Sequence, residues 1–124
     1  MGMEFKLIKE GMPTRPDVTV FHVSGWLDAQ SEGRLVEAVQ QAKAQGAAYA
    51  VLDLRDLDTI TSAGIRAIQR ANQILAPAAA TGTAARVKLC NTPPRVYEVL
   101  SVTGLLAAVP TYEGLDIAVA ACRQ

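Results

Sequence analysis

Apolar and polar positions switch between two periods along the chain. Residues 3–10 alternate loosely, Phe5 and Leu7 against Lys6 with Ile8 out of phase, which fits an edge strand. Residues 11–17 hold Gly11, Pro13 and Pro16 and read as a turn. Residues 17–24, with Val18, Val20, Phe21 and Val23, form a second strand, and the short connection predicts a hairpin. Gly25-Trp26-Leu27-Asp28 follows as a loop. A helical period then runs over residues 29–45, with Leu35, Val39 and Ala42 on one face and Gly46 as its stop. Residues 49–54 (YAVLDL) form a compact apolar strand of the kind buried on both faces. Residues 55–61 read as a polar loop. A helix from Ser62 to about Leu75 places Ile65, Ile68, Asn72 and Leu75 on one stripe.

Residues 76–85 (APAAATGTAA) are small and read as a mobile connection with room for an extra half-turn of helix. Residues 86–90 alternate as a fourth strand. Thr92 suits an N-cap with Pro93 at the first helical position, opening a helix that carries Val96, Val99 and Leu100 and ends near Gly104. Residues 107–111 read as a short last strand, and residues 113–122 as a last helix with Leu115, Val119 and Cys122 on one side. The predicted order is β-β-α-β-α-β-α-β-α, with about four helices. Strands separated by helices must pair mainly in parallel, so the fold class is α/β: a mostly parallel sheet with an N-terminal hairpin. At 124 residues, with no repeat or linker, the chain reads as one domain whose core covers about residues 3–121.

Composition narrows the functions. Half of the residues are apolar, enough for one packed core. Twelve basic residues balance twelve acidic ones, so neither nucleic acid nor an anionic membrane surface is an expected partner. The apolar runs are too short to span a bilayer, and the charges at Glu4, Lys6, Lys9 and Glu10 argue against a secretory signal. Cys90 and Cys122 lack a CxxC partner, and His22 is the single histidine, so no metal site is expected. A reduced, cytoplasmic protein is the default, with a Cys90–Cys122 disulfide the poorer alternative.

Chemistry concentrates in residues 51–66 (VLDLRDLDTITSAGIR), where a buried strand leads into the start of a helix. Open α/β sheets engage partners at the carboxyl ends of their strands, and a helix start offers unpaired N–H groups and the positive end of the dipole. Ser62 stands at that start. Phosphorylation would add nearly two negative charges there; Arg66, one turn on, could pair with them, and Asp56 and Asp58 would oppose them. The plainer alternative is a serine that only caps the helix, worth about 1 kcal/mol. Gly64 has a plainer reading too, close packing of helix on sheet.

The same segment resembles the signature of the STAS domain family, the fold of bacterial anti-sigma factor antagonists and of the cytosolic tails of sulfate transporters. Thr61-Ser62-Ala63-Gly64-Ile65 stands where that family carries an Asp-Ser-Ser-Gly-Leu or Ser-Ser-Ala-Gly-Leu helix start, and the family's phosphorylated serine falls on Ser62. Ser24-Gly25-Trp26-Leu27-Asp28 resembles the family's Gly-Glu-Leu-Asp loop, whose aspartate belongs to the kinase-contacting surface. Ser101-Val102-Thr103-Gly104-Leu105 is similar to its Ser-Gly-Leu turn. Three departures stand out: Thr61 replaces a frequent Asp, Trp26 replaces the usual Glu, as a binding anchor or as local core, and the connection over residues 76–85 is longer than usual, which would reshape one side of the surface.

The resemblance implies a non-catalytic regulatory module that binds an anti-sigma factor with serine kinase activity and is switched by phosphorylation of Ser62. A phosphatase would be a second partner. Trp26, Asp28, Thr61, Ser62, Gly64 and Arg66 would form the partner-binding surface. The alternative keeps the fold as an accessory subunit that docks in a membrane transport or other signalling complex without phosphorylation. An enzyme is not expected: Ser62 is outside a GxSxG elbow, His22 fits a satisfied strand histidine, and no P-loop or GxGxxG follows a strand. Nor does Asp53 fit a receiver-type phosphoacceptor, because only Glu10 follows the first strand to help hold magnesium. Asp53 reads instead as a strand-end residue capping local N–H groups.

Overall fold

The computed structural model describes residues 4–76 and 85–122. Ten elements follow in order: β1 (Lys6–Gly11), β2 (Val18–Leu27), α1 (Glu32–Ala44), β3 (Tyr49–Ile60), α2 (Ser62–Leu75), β4 (Val87–Cys90), α3 (Pro94–Thr103), α4 (Leu105–Ala108), β5 (Thr111–Tyr112) and α5 (Leu115–Ala120). The five strands form one sheet in the order β1-β2-β3-β4-β5. The β1–β2 hairpin is antiparallel and every other pair is parallel. This is the predicted class, and the hairpin and the mixed sheet stand as expected.

Each sheet face has its own apolar layer. Phe21, Val23, Leu52, Leu54 and Leu89 pack on the side of α1, α2 and α3, against Leu35, Val39, Ile68, Leu75, Val96 and Leu100. On the other side Val18, Val20, Val51 and Cys90 pack with Ala118, Val119 and Cys122 around α5. A fully buried aliphatic side chain contributes about 1.5–3 kcal/mol, so the first and larger layer dominates stability. Asn72, on the predicted α2 stripe, serves as a polar anchor, since its Oδ1 accepts the N–H groups of Arg86 (2.7 Å) and Val87 (3.0 Å) and fixes the start of β4.

Several boundaries differ from the sequence expectation. Both central strands run on: β2 takes in Gly25-Trp26-Leu27, and β3 continues through residues 55–60, expected as a loop. They stay paired to Leu27↔Ile60 because the register shifts between His22 and Ser24 and between Gly25 and Trp26, with Gly25 at φ 83°. Asp53 is therefore inside a strand, not at its end. At α3 the N-cap is Pro93 and Pro94 opens the helix, one residue later than expected. Residues 105–108 form a short helix, α4, after Gly104 adopts the left-handed conformation (φ 79°), and its last two residues fall where the sequence reading began a strand at 107. The small-residue connection expected over residues 76–85 falls largely outside the described residues.

The C-terminal helix is held from the hairpin turn. Arg15 donates to both carboxylate oxygens of Asp17 (3.1 and 3.0 Å) and to the carbonyls of Cys122 (2.6 Å) and Val119 (3.4 Å). Cys90 and Cys122 are both buried free thiols.

Candidate functional site

The long β2 and β3 end together, and α2 begins after the single intervening residue Thr61. The Thr61 N–H donates to the Leu27 carbonyl (3.1 Å), carrying the β2–β3 pairing to the helix cap. Thr61 is extended (φ −110°, ψ 178°) and its carbonyl accepts the N–H of Ile65 (3.0 Å). Thr61 Oγ1 is buried without a hydrogen-bond partner among the described residues, so Thr61 caps α2 through its backbone alone. Ser62 is the first helical residue, not the cap. It is exposed, and its hydroxyl makes no hydrogen bond among the described residues. The capping alternative for Ser62 does not hold.

Gly64 is buried directly beneath. A methyl group built on it would overlap the Leu27 carbonyl oxygen and stand 2.8 Å from Ile60 Cγ1. Only a residue without Cβ lets α2 start this close to the paired strand ends. Gly64 thus shapes the surface from below.

Asp28 and Ser31 fix the neighbouring edge. Asp28 Oδ1 accepts the N–H groups of Gln30 (3.0 Å) and Ser31 (3.2 Å), and Ser31 Oγ donates to the Trp26 carbonyl (2.9 Å). The Asp28 carboxylate is therefore engaged at the turn into α1. Trp26 projects from β2 with 39% of its surface exposed, and its indole N–H donates to Asp58 Oδ2 (2.8 Å), which also accepts the Thr59 hydroxyl (2.9 Å). Of the two expectations for Trp26, the structure shows the exposed one. Trp26, Asp28 and Thr61 line one shallow depression together with Phe5 and Arg34, whose guanidinium lies 4.8 Å from the Phe5 ring centroid. Arg66, exposed on the next turn of α2, lies 3.5 Å from the Glu32 carboxylate of α1.

The structure thus gathers the six sequence-predicted residues around one helix start, five at the surface and Gly64 beneath. Sequence reasoning missed a second polar group. His22 Nδ1 is 2.9 Å from Asp53 Oδ2, and His22 Nε2 is 2.7 Å from Glu10 Oε1. Asp53 Oδ1 accepts Asn91 Nδ2 (3.1 Å) and the Arg55 N–H (3.2 Å). The expected capping of a local N–H by Asp53 is present, within a larger network. The sequence shows only a shared spacing, His22 two residues after Val20 as Asp53 is two after Val51, and the parallel register of the structure is what sets them opposite each other.

Among the described residues, no helix is long and apolar enough to cross a membrane. The family model of the STAS domain matches residues 11–118. The structure is similar to an anti-sigma factor antagonist from Mycobacterium paratuberculosis, with 22% identity, TM-score 0.77, and coverage of 98% of this chain and 96% of that one. It is also similar to the Bacillus cell fate determinant SpoIIAA in its phosphorylated form, with 21% identity, TM-score 0.65, and coverage of 97% and 100%. A sulfate transporter family protein from Wolinella succinogenes aligns at 19% identity and TM-score 0.67, over 86% and 84%. At such identities the likeness is one of fold. No curated protein sequence matches this chain.

Proposed function

The chain belongs to the STAS domain family, and on that premise we propose that it is a non-catalytic anti-sigma factor antagonist, binding an anti-sigma factor with serine kinase activity and released by phosphorylation of Ser62. The observation that carries this reading is an exposed, unengaged hydroxyl on the first residue of α2. A phosphate at that position meets the positive end of the helix dipole and the unpaired N–H groups of the first turn, so it does not unfold the helix that bears it. What it changes is the surface. Trp26, Thr61 and Ser62 offer an apolar and hydroxyl contact face in a molecule of zero formal net charge, and two added charges there repel an apolar or acidic partner. The antagonists with the same fold, one of them in its phosphorylated form, support the assignment. ATP would bind to the partner, so this chain would need no cofactor, and a phosphatase would restore the binding form.

The test is capture of the partner from the cells that make this protein, followed by incubation with that partner and ATP. Ser62→Asp is expected to weaken capture at least about tenfold while changing stability by less than about 1 kcal/mol, as for a surface substitution. Mass spectrometry should find one phosphate on Ser62, and a phosphate on Thr59 or Thr61 instead would reassign the site. The sulfate transporter relative favours a second reading, docking in a transport complex without phosphorylation. Equal capture by the wild type and by Ser62→Asp would select it.

A further inference from the structure

The group centred on His22 stands apart from the partner surface and spans the sheet. Glu10 lies on β1, His22 on β2 opposite Ile8, Asp53 on β3 opposite His22, and Asn91 just past β4 in the left-handed region (φ 54°). Both imidazole nitrogens face carboxylate oxygens, at 2.9 and 2.7 Å. An ionised carboxylate only accepts hydrogen bonds, and a neutral imidazole has one donor nitrogen and one acceptor nitrogen. The two contacts can coexist as hydrogen bonds only when His22 carries both protons. Loss of one proton sets a lone pair against a carboxylate.

The two partners are unequal. The Asp53 side chain is 11% exposed and is also held by Asn91 and the Arg55 N–H, whereas the Glu10 side chain is 53% exposed, on the outermost strand. Glu10 is the contact that yields. The other charged or titratable groups on this sheet face include Lys6 and Asp56, both opposite Ser24, Lys88 opposite Val51, Cys90 opposite Asp53, Tyr112 opposite Cys90, Tyr49 at the start of β3 and Cys122 from the α5 side, with Arg55 beyond Asp53. Burial pushes the Cys90 thiol up to about 12, so it holds its proton throughout. His22 is the group in this cluster that changes charge near neutral pH.

We propose that His22 is a proton-operated clasp that ties the C-terminal end of edge strand β1 to the middle of the sheet and releases it when the imidazole becomes neutral. The hydrogen bond donated to Glu10, opposed by partial burial and reinforced by Asp53, raises the imidazole pKa above its ordinary 6.5, which puts the release on the alkaline side of that value. The released end runs directly into the turn whose Arg15 holds the carbonyls of Val119 and Cys122, so the clasp also bears on the seating of α5.

As the single histidine, His22 gives one ring resonance to follow by NMR. Its midpoint should lie above 6.5 and fall by roughly half a unit or more in Glu10→Gln, since a nearby opposite charge shifts a pKa on that scale or larger. Hydrogen-exchange protection of residues 9–11, taken relative to that of β3, should drop at least about threefold across the titration, and should show no such step in His22→Gln. A midpoint at or below 6.5, one unmoved by Glu10→Gln, or protection that ignores the titration would overturn the clasp. If His22→Gln does not fold, the Glu10→Gln comparison decides alone.

Discussion

Gly64 shows how much a site can depend on a side chain that is not there. Because the obstacle above it is the Leu27 carbonyl, a backbone atom, Gly64→Ala forces α2 away from the strand ends. The better helix propensity of alanine, about 1 kcal/mol, offsets only part of that strain. A net loss of about 1–3 kcal/mol is expected from chemical denaturation, the range of an overpacked core. Ser62 and Gly64 were legible because they fall in one short motif with a known spacing. That Gly64 lies beneath the surface rather than in it was only one of two readings, since it depends on how closely helix and sheet approach. The partner of the Trp26 indole, Asp58, was hidden for the same reason: the two are 32 residues apart and meet only because β2 and β3 keep pairing past their bulges.

Among the elements, α2 matched its sequence pattern from first to last residue, because an amphipathic stripe and a clear start coincide. The ends of β2 and β3 did not. Residues 55–60 are mostly polar, and their strand character comes from the neighbouring strand, with only Leu57 and Ile60 buried to mark it. Residues 107–108 were misread as the start of a strand, because the small or apolar residues 105–108 fit either period and Gly104 decides between them. The turn from β2 into α1 is held by the Asp28 carboxylate and the Ser31 hydroxyl. Asp28→Ala removes the acceptor for two N–H groups and should cost about 1 kcal/mol, as for loss of a helix cap, read as a lower denaturation midpoint with the slope unchanged. Restoration by Asp28→Asn would show that the oxygen, rather than the charge, does the holding.

For the whole molecule, stability is bounded by pH on two sides. Arg15 donates to Asp17 and, against the cost of burial, holds its carboxyl below the ordinary 3.8. Burial opposes ionisation of Asp53, yet the bonds from Asn91, the Arg55 N–H and His22 outweigh it and lower that carboxyl as well. Groups lowered on folding stabilise the native state above their unfolded pKa, and that contribution is lost as pH falls through the folded values. His22, raised on folding, contributes most below about 6.5, and its share is lost as pH rises through its higher folded pKa. Denaturation midpoints measured from about pH 2 to about pH 9 should therefore fall at both ends, with the alkaline fall reduced in Glu10→Gln. The sheet class and hairpin were readable from alternating periods. The Glu10–His22–Asp53 pairing was not, because it joins three strands whose register no local pattern states, whereas Arg15 and Asp17 lie two residues apart in the hairpin turn.

The margins of the sheet have a consequence of their own. On one side the last strand has only two residues, Thr111 and Tyr112; on the other, Lys6, Lys9 and Glu10 put charges along the outer strand. A foreign backbone seeking to extend the sheet finds little ladder at one rim and a charged border at the other. Aggregation through strand addition is thereby disfavoured in a fold whose proposed contacts lie at a helix tip.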